Sequence, residues 1–147
     1  MGRAIASVIV GYIVFAGVDF ALFTGAYTAL GAERAFNPGV YDVSMLWLVL
    51  AIAINLVGAI VGGFVCSVIA STGKPPLAMA FIVLALGVGL AYVHEQTAPA
   101  DPGKRAGDVP NLEAMSKAVM PSWFHYGAPV VGAVGVLIGK KKKKSKD

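Results

Sequence analysis

The sequence is poor in what a soluble domain needs. Only 14% of its 147 residues are charged while 57% are apolar, whereas a globular domain carries about 25% charged residues. Acid is scarcest, at 8 Asp and Glu against 12 Lys and Arg. A single cysteine, Cys66, excludes an intramolecular disulfide and a cysteine-based metal set; within an apolar run it reads as a small packing residue. Asn37, Asn55 and Asn111 all lack a hydroxyl two residues on, so the chain has no Asn-x-Ser/Thr acceptor. Gly73-Lys74 is no phosphate loop, because Val68 stands where the first glycine belongs and Pro75 where Ser or Thr belongs. No long run alternates polar with apolar residues, which excludes a barrel facing both lipid and lumen.

What the chain has is four long apolar runs: 4–30, 43–70, 77–95 and 122–139, together 92 residues. A helix needs about 20 apolar residues to cross a bilayer, so all four qualify as spans. The 55 residues left over, split among five segments, exclude a separate soluble catalytic, nucleotide-binding or nucleic-acid-binding domain. The predicted fold is an all-α polytopic membrane domain of four transmembrane helices covering 1–147. The first run is too long for a signal h-region and lacks a small-x-small cleavage site, so it is read as an uncleaved anchor.

Cations set the orientation. Arg3, Lys74, Lys140 to Lys144 and Lys146 fall on one side; Arg34, Lys104, Arg105 and Lys117 fall on the other. Both termini are therefore expected in the cytoplasm. The lysines of the tail, 140–147, directly follow the fourth span, where they favour anionic lipid. They lack the interleaved aromatics that nucleic acid would need for stacking.

The turn between the first two spans centres on Asn37-Pro38-Gly39, with Asp42 as the expected N-cap of the second span. Gly73 is expected to end that span and the following prolines to start the third. The segment 96–121 is the one sizeable extramembrane loop. Its first half is rich in turn formers. Its second half reads as a short helix capped by Asn111, with Leu112, Met115 and Val119 on one face, lying on the membrane surface or across the helix ends.

Small residues recur at steps of four, or of three and four on one face, the spacing that lets helix backbones approach in lipid. The first span has Gly17, Ala21, Gly25 and Ala29; the second has Gly58 and Gly62, then Cys66; the fourth has Gly132, Gly135 and Gly139. These faces predict packing within the chain or against another chain.

Asp19 is the one acid at membrane depth, where insertion of an ionised Asp costs about 2.5–3.5 kcal/mol. Asn55 is its expected partner, since the two lie at equal distances from the turn near residue 37. A hydrogen bond holding two helices is preferred over an ion or proton site. His94, Glu95 and His125 lie at one end of the bundle and form a weak metal candidate, less favoured than a solvated boundary because adjacent residues diverge by about 100° on a helix. Trp47, Tyr92, Trp123 and Tyr126, with Tyr27 and Tyr41, suggest an aromatic belt. Pro129 is expected to kink the fourth span.

The stretch Arg105 to Met115, Arg-Ala-Gly-Asp-Val-Pro-Asn-Leu-Glu-Ala-Met, and Gly132-Ala-Val-Gly-Val-Leu-Ile-Gly139 resemble a group of small four-span bacterial membrane proteins. The resemblance implies the architecture and a bacterial inner membrane, and no activity. No catalytic motif or cofactor site is read from the residues. The expected role is a non-enzymatic accessory or structural protein, with membrane lipid and either a partner protein or a second copy as its contacts. The alternative is a small oligomeric transporter or channel component with Asp19 as its coupling group.

Overall fold

The computed structural model describes residues 2–70, 74–97 and 103–141. Its elements are α1 (Gly2–Leu30), α2 (Ala32–Ala35), α3 (Met45–Ile69), α4 (Lys74–Thr97), α5 (Asn111–Lys117) and α6 (Ser122–Gly139). Among the described residues α1, α3, α4 and α6 are long and apolar enough to cross a membrane. The expectation of an all-helical chain with four helices fit to span therefore stands among the described residues, and α6 has the expected bounds.

The helix ends differ from the sequence reading for local reasons. Ser44, not Asp42, caps α3: its hydroxyl accepts from the Trp47 amide at 3.1 Å. Asp42 instead lies in extended backbone bridged to Val119. α3 stops at Ile69, with Ala70 as its C-cap, before Gly73, which lies outside the described residues. Arg3 Nε donates to the Ile69 carbonyl at 2.8 Å, placing a cation on the negative end of the α3 dipole and tying both chain segments together. Pro75 and Pro76 occupy the first turn of α4, where their missing amide donors are not needed.

The helices pack in the order α1, α3, α6, α4, with α1 also reaching α4. Backbone approach explains the glycines. A Cβ on Gly11 would lie 2.7 Å from Cys66 Cβ and 2.9 Å from the Gly62 carbonyl, and one on Gly62 would lie 2.7 Å from the Gly11 carbonyl. Across the α3–α6 contact, a Cβ on Gly135 would lie 2.7 Å from Ala59 Cβ, and one on Gly139 would overlap the Ile60 carbonyl. The predicted faces of α3 and α6 thus make contact within the chain. The face predicted for α1 does not: Gly17, Ala21, Gly25 and Ala29 are exposed, and α1 turns Ser7, Gly11 and Phe15 inward instead.

The loops form a second core at the end of the bundle away from the termini. Tyr27, Phe36, Tyr41, Val43, Trp47 and Phe124 are buried there with Ala114 of α5. Two backbone bonds stitch the loops together, Val43 N to Val119 O at 3.1 Å and Val119 N to Tyr41 O at 2.9 Å. In the Asn37-Pro38-Gly39 turn, the Val40 amide donates to Asn37 O at 3.3 Å and Gly39 has φ of 73°, the positive value a type II turn asks of its third residue. The aromatic-belt reading is corrected here. Tyr27, Tyr41 and Trp47 point into this core, the Tyr27 hydroxyl donating to Val109 O at 2.7 Å, whereas Tyr92 and Trp123 remain exposed.

Arg105 anchors the cap. Its side chain is 1% exposed and pairs at 3.0 Å with Glu33, itself 70% exposed, and its guanidinium lies 5.9 Å over the Phe36 ring. Its amide also donates to Gly39 O at 3.0 Å. α5 forms as expected, but Pro110 rather than Asn111 is its N-cap; Asn111 Nδ2 donates to Thr24 of α1 at 3.2 Å. Leu112 and Met115 stay 74% and 54% exposed, because Ala114 is the residue small enough to fit beneath α5. Glu113 accepts from Lys117 at 2.9 Å and from Tyr41 at 3.0 Å. Those donors hold its carboxyl below the ordinary range, and Glu113 in turn raises the Lys117 ammonium.

Candidate functional site

Asp19 of α1 and Asn55 of α3 meet, as their equal spacing from the turn predicts. Asn55 Nδ2 donates to Asp19 Oδ2 at 3.5 Å, the long limit of a hydrogen bond. Glycines on the facing helices make the room. A Cβ on Gly58 would overlap Asp19 Oδ1, and one on Gly132 of α6 would lie 3.2 Å from Asn55 Oδ1 and 3.1 Å from Val83 of α4. Each polar group therefore fills a notch left by a glycine. The Asp19 and Asn55 Oδ1 atoms are buried and accept from no protein donor.

Beside Asn55 lies a cleft of about 530 Å³, walled by α4 and α6 and closed on one side by Tyr12 and Phe15 of α1. Its other end is lined by His94, Thr97 and His125. The two imidazoles are 4.7 Å apart between ring centroids and tilted by 44°. Between them and Asn55, the Pro129 ring fills the space that a side chain on Gly87 would take. The pairing of α4 with α6 at this level thus follows from one glycine and one proline.

The weak metal candidate of the sequence is not assembled among the described residues. Glu95 does not join His94 and His125 around a common point; its Oε2 accepts from the Tyr126 hydroxyl at 2.8 Å. Among the described residues no three His, Cys, Asp or Glu side chains gather into a group that could hold a metal ion. Cys66 is buried against α1, in keeping with a packing role. In the tail, Lys140 caps α6 and the Lys141 amide donates to Ser67 Oγ at 3.0 Å; Lys142, Lys143, Lys144 and Lys146 lie outside the described residues.

Sequence reasoning found the polar pair and both histidines, and missed the cleft that joins them. Tyr12, Gly87 and Thr97 carry no motif, and their convergence depends on the relative rotation of three helices. A double-mutant cycle tests the pair. Leucine has the branched outline of Asp and Asn, so Asp19→Leu alone strands the Asn55 amide and Asn55→Leu alone strands the carboxyl, each lowering stability by about 1–3 kcal/mol. The double variant should recover most of that loss in thermal unfolding. Simple additivity of the two losses would show that the groups are not coupled.

No family model matches the chain, and no curated protein or solved structure matches it either.

Proposed function

We propose that this chain is a non-enzymatic accessory protein of a membrane, which packs through α1 against a second copy or a larger membrane complex. The unused small-residue face of α1 carries the reading. A Cβ on Gly17 or Gly25 meets nothing within 4 Å, whereas one on Gly11, Gly58, Gly62, Gly63, Gly132, Gly135 or Gly139 meets a neighbouring helix. Glycine in a helix is about 1 kcal/mol less favourable than alanine. In lipid the compensating use of such a stripe is close approach by another helix.

The cation distribution supports a placement with both termini in the cytoplasm and the cap outside, in a bacterial inner membrane as the resemblance implies. There the exposed Leu112 and Met115 of α5 suit the membrane interface, and the lysine-rich tail suits an anionic inner leaflet.

The experiment is a Gly17→Leu/Gly25→Leu double variant. Both positions face open space, so the isolated fold should keep its helical circular dichroism and melting temperature. In mild detergent the wild-type chain should run as an assembly or with a stable partner, and the variant as a single chain. A strictly monomeric wild type with no partner, or a variant that keeps its assembly, overturns the reading.

A further inference from the structure

We propose that the cleft between α4 and α6 binds a neutral, lipid-soluble ring compound bearing carbonyl acceptors, of the quinone class. The inference is independent of what α1 packs against. Its volume of about 530 Å³ falls within the range of small-molecule sites. It lies at membrane depth, and Leu90 and Val93 on its rim are exposed, so a ligand can enter sideways from lipid.

The chemistry of the walls selects the class. Among the described residues the lining contains no Lys, Arg, Asp or Glu. An ionised fatty acid or a phosphate headgroup would enter without a counter-charge, and an uncompensated ion is costly in such surroundings. The polar groups present are hydrogen-bonding side chains, and an imidazole carries at least one N–H donor. His94 and His125, with ring centroids 4.7 Å apart, stand together at the mouth. The Thr97 hydroxyl already donates to Val93 O at 2.9 Å, which leaves it as an acceptor. The Met120 carbonyl faces the His125 ring, which leaves His94 as the donor for a carbonyl edge. Tyr12, Phe15 and Phe124 line the body of the cleft with flat rings, which suit an aromatic or quinoid ring in offset or edge contact. Binding alone is inferred; no electron transfer is assigned to the chain.

The test uses the purified full chain in detergent micelles with decylubiquinone as probe, followed by quenching of tryptophan emission. Saturable binding of one probe per chain is expected. His94→Phe keeps a ring in place but removes the N–H and should weaken binding at least tenfold; His94→Gln, which restores a donor, should recover part of it. Leu90→Trp fills the rim from an exposed position and should abolish binding with the melting temperature unchanged, so it decides the matter if a histidine variant fails to fold. Decylbenzene, which has the tail and ring without carbonyls, should compete at least tenfold less well. Absence of saturable binding overturns the proposal. So does equal competition by decylbenzene, which would make the cleft an acyl-chain groove, or displacement by phosphatidylglycerol at matching concentration, which would make it a phospholipid site. Unchanged affinity in His94→Phe also overturns it.

Discussion

Gly63→Ala should destabilise the bundle by about 3 kcal/mol, at the upper end of what overpacking a core costs, whereas Gly25→Ala should leave it unchanged or stabilise it by up to about 1 kcal/mol. The added methyl is the same in both variants, and only its surroundings differ. At Gly63 it would overlap the Val136 carbonyl and come within 2.7 Å of Val136 Cα. Both are backbone atoms of α6, so relief requires the whole helix to move away from α3. That shift would also loosen Gly135 against Ala59 and Gly139 against Ile60. At Gly25 the methyl meets open space, and the better helix propensity of alanine is all that remains. Thermal unfolding of the single chain, in a detergent that separates any assembly, followed by circular dichroism, measures both. Equal melting temperatures for the two variants would show that α3 and α6 do not approach at Gly63.

Arg105→Ala should unlatch the cap while sparing the four spans. The guanidinium is buried beneath the loops, pairs with Glu33, lies over the Phe36 ring and bonds the Gly107 carbonyl. Glu33 is largely exposed and is rehydrated when its partner leaves, so the ion pair itself contributes little. The larger loss is the buried stem and the guanidinium donor to the Gly107 carbonyl; the Arg105 amide keeps its bond to Gly39 O. A local destabilisation of about 2 kcal/mol is expected on that basis, read as faster hydrogen exchange and faster proteolysis across 103–121. Arg105→Lys should recover less than half of it, because a compact ammonium on a flexible stem cannot reproduce the planar guanidinium over the Phe36 ring. A cap that stays protected in Arg105→Ala would show that the apolar cluster around Trp47 and Tyr41 suffices alone.

The spans were legible because bilayer thickness and helical rise fix how many apolar residues a crossing needs, a property of each run taken by itself. Asp19 and Asn55 could be paired for a related reason: a helical hairpin brings positions equidistant from its turn to the same depth. The α1 interface was not legible. Ser7 and Gly11 lie on one side of that helix and Gly17, Ala21 and Gly25 on another, since six residues from 11 to 17 turn about 240°. Both stripes permit close approach, and small residues do not say which neighbour arrives.

Length, hydropathy and spacing by themselves determined four helices, the depth of the polar pair and the glycine faces of α3 and α6, because each of these is local or periodic along one helix. The tertiary structure alone decided that Arg105 is buried, that Tyr27, Tyr41 and Trp47 form a core rather than a belt, and that His94, His125 and Asn55 line one cleft. Those outcomes depend on contacts between residues tens of positions apart, and so on helix rotations and a loop register that no single segment encodes.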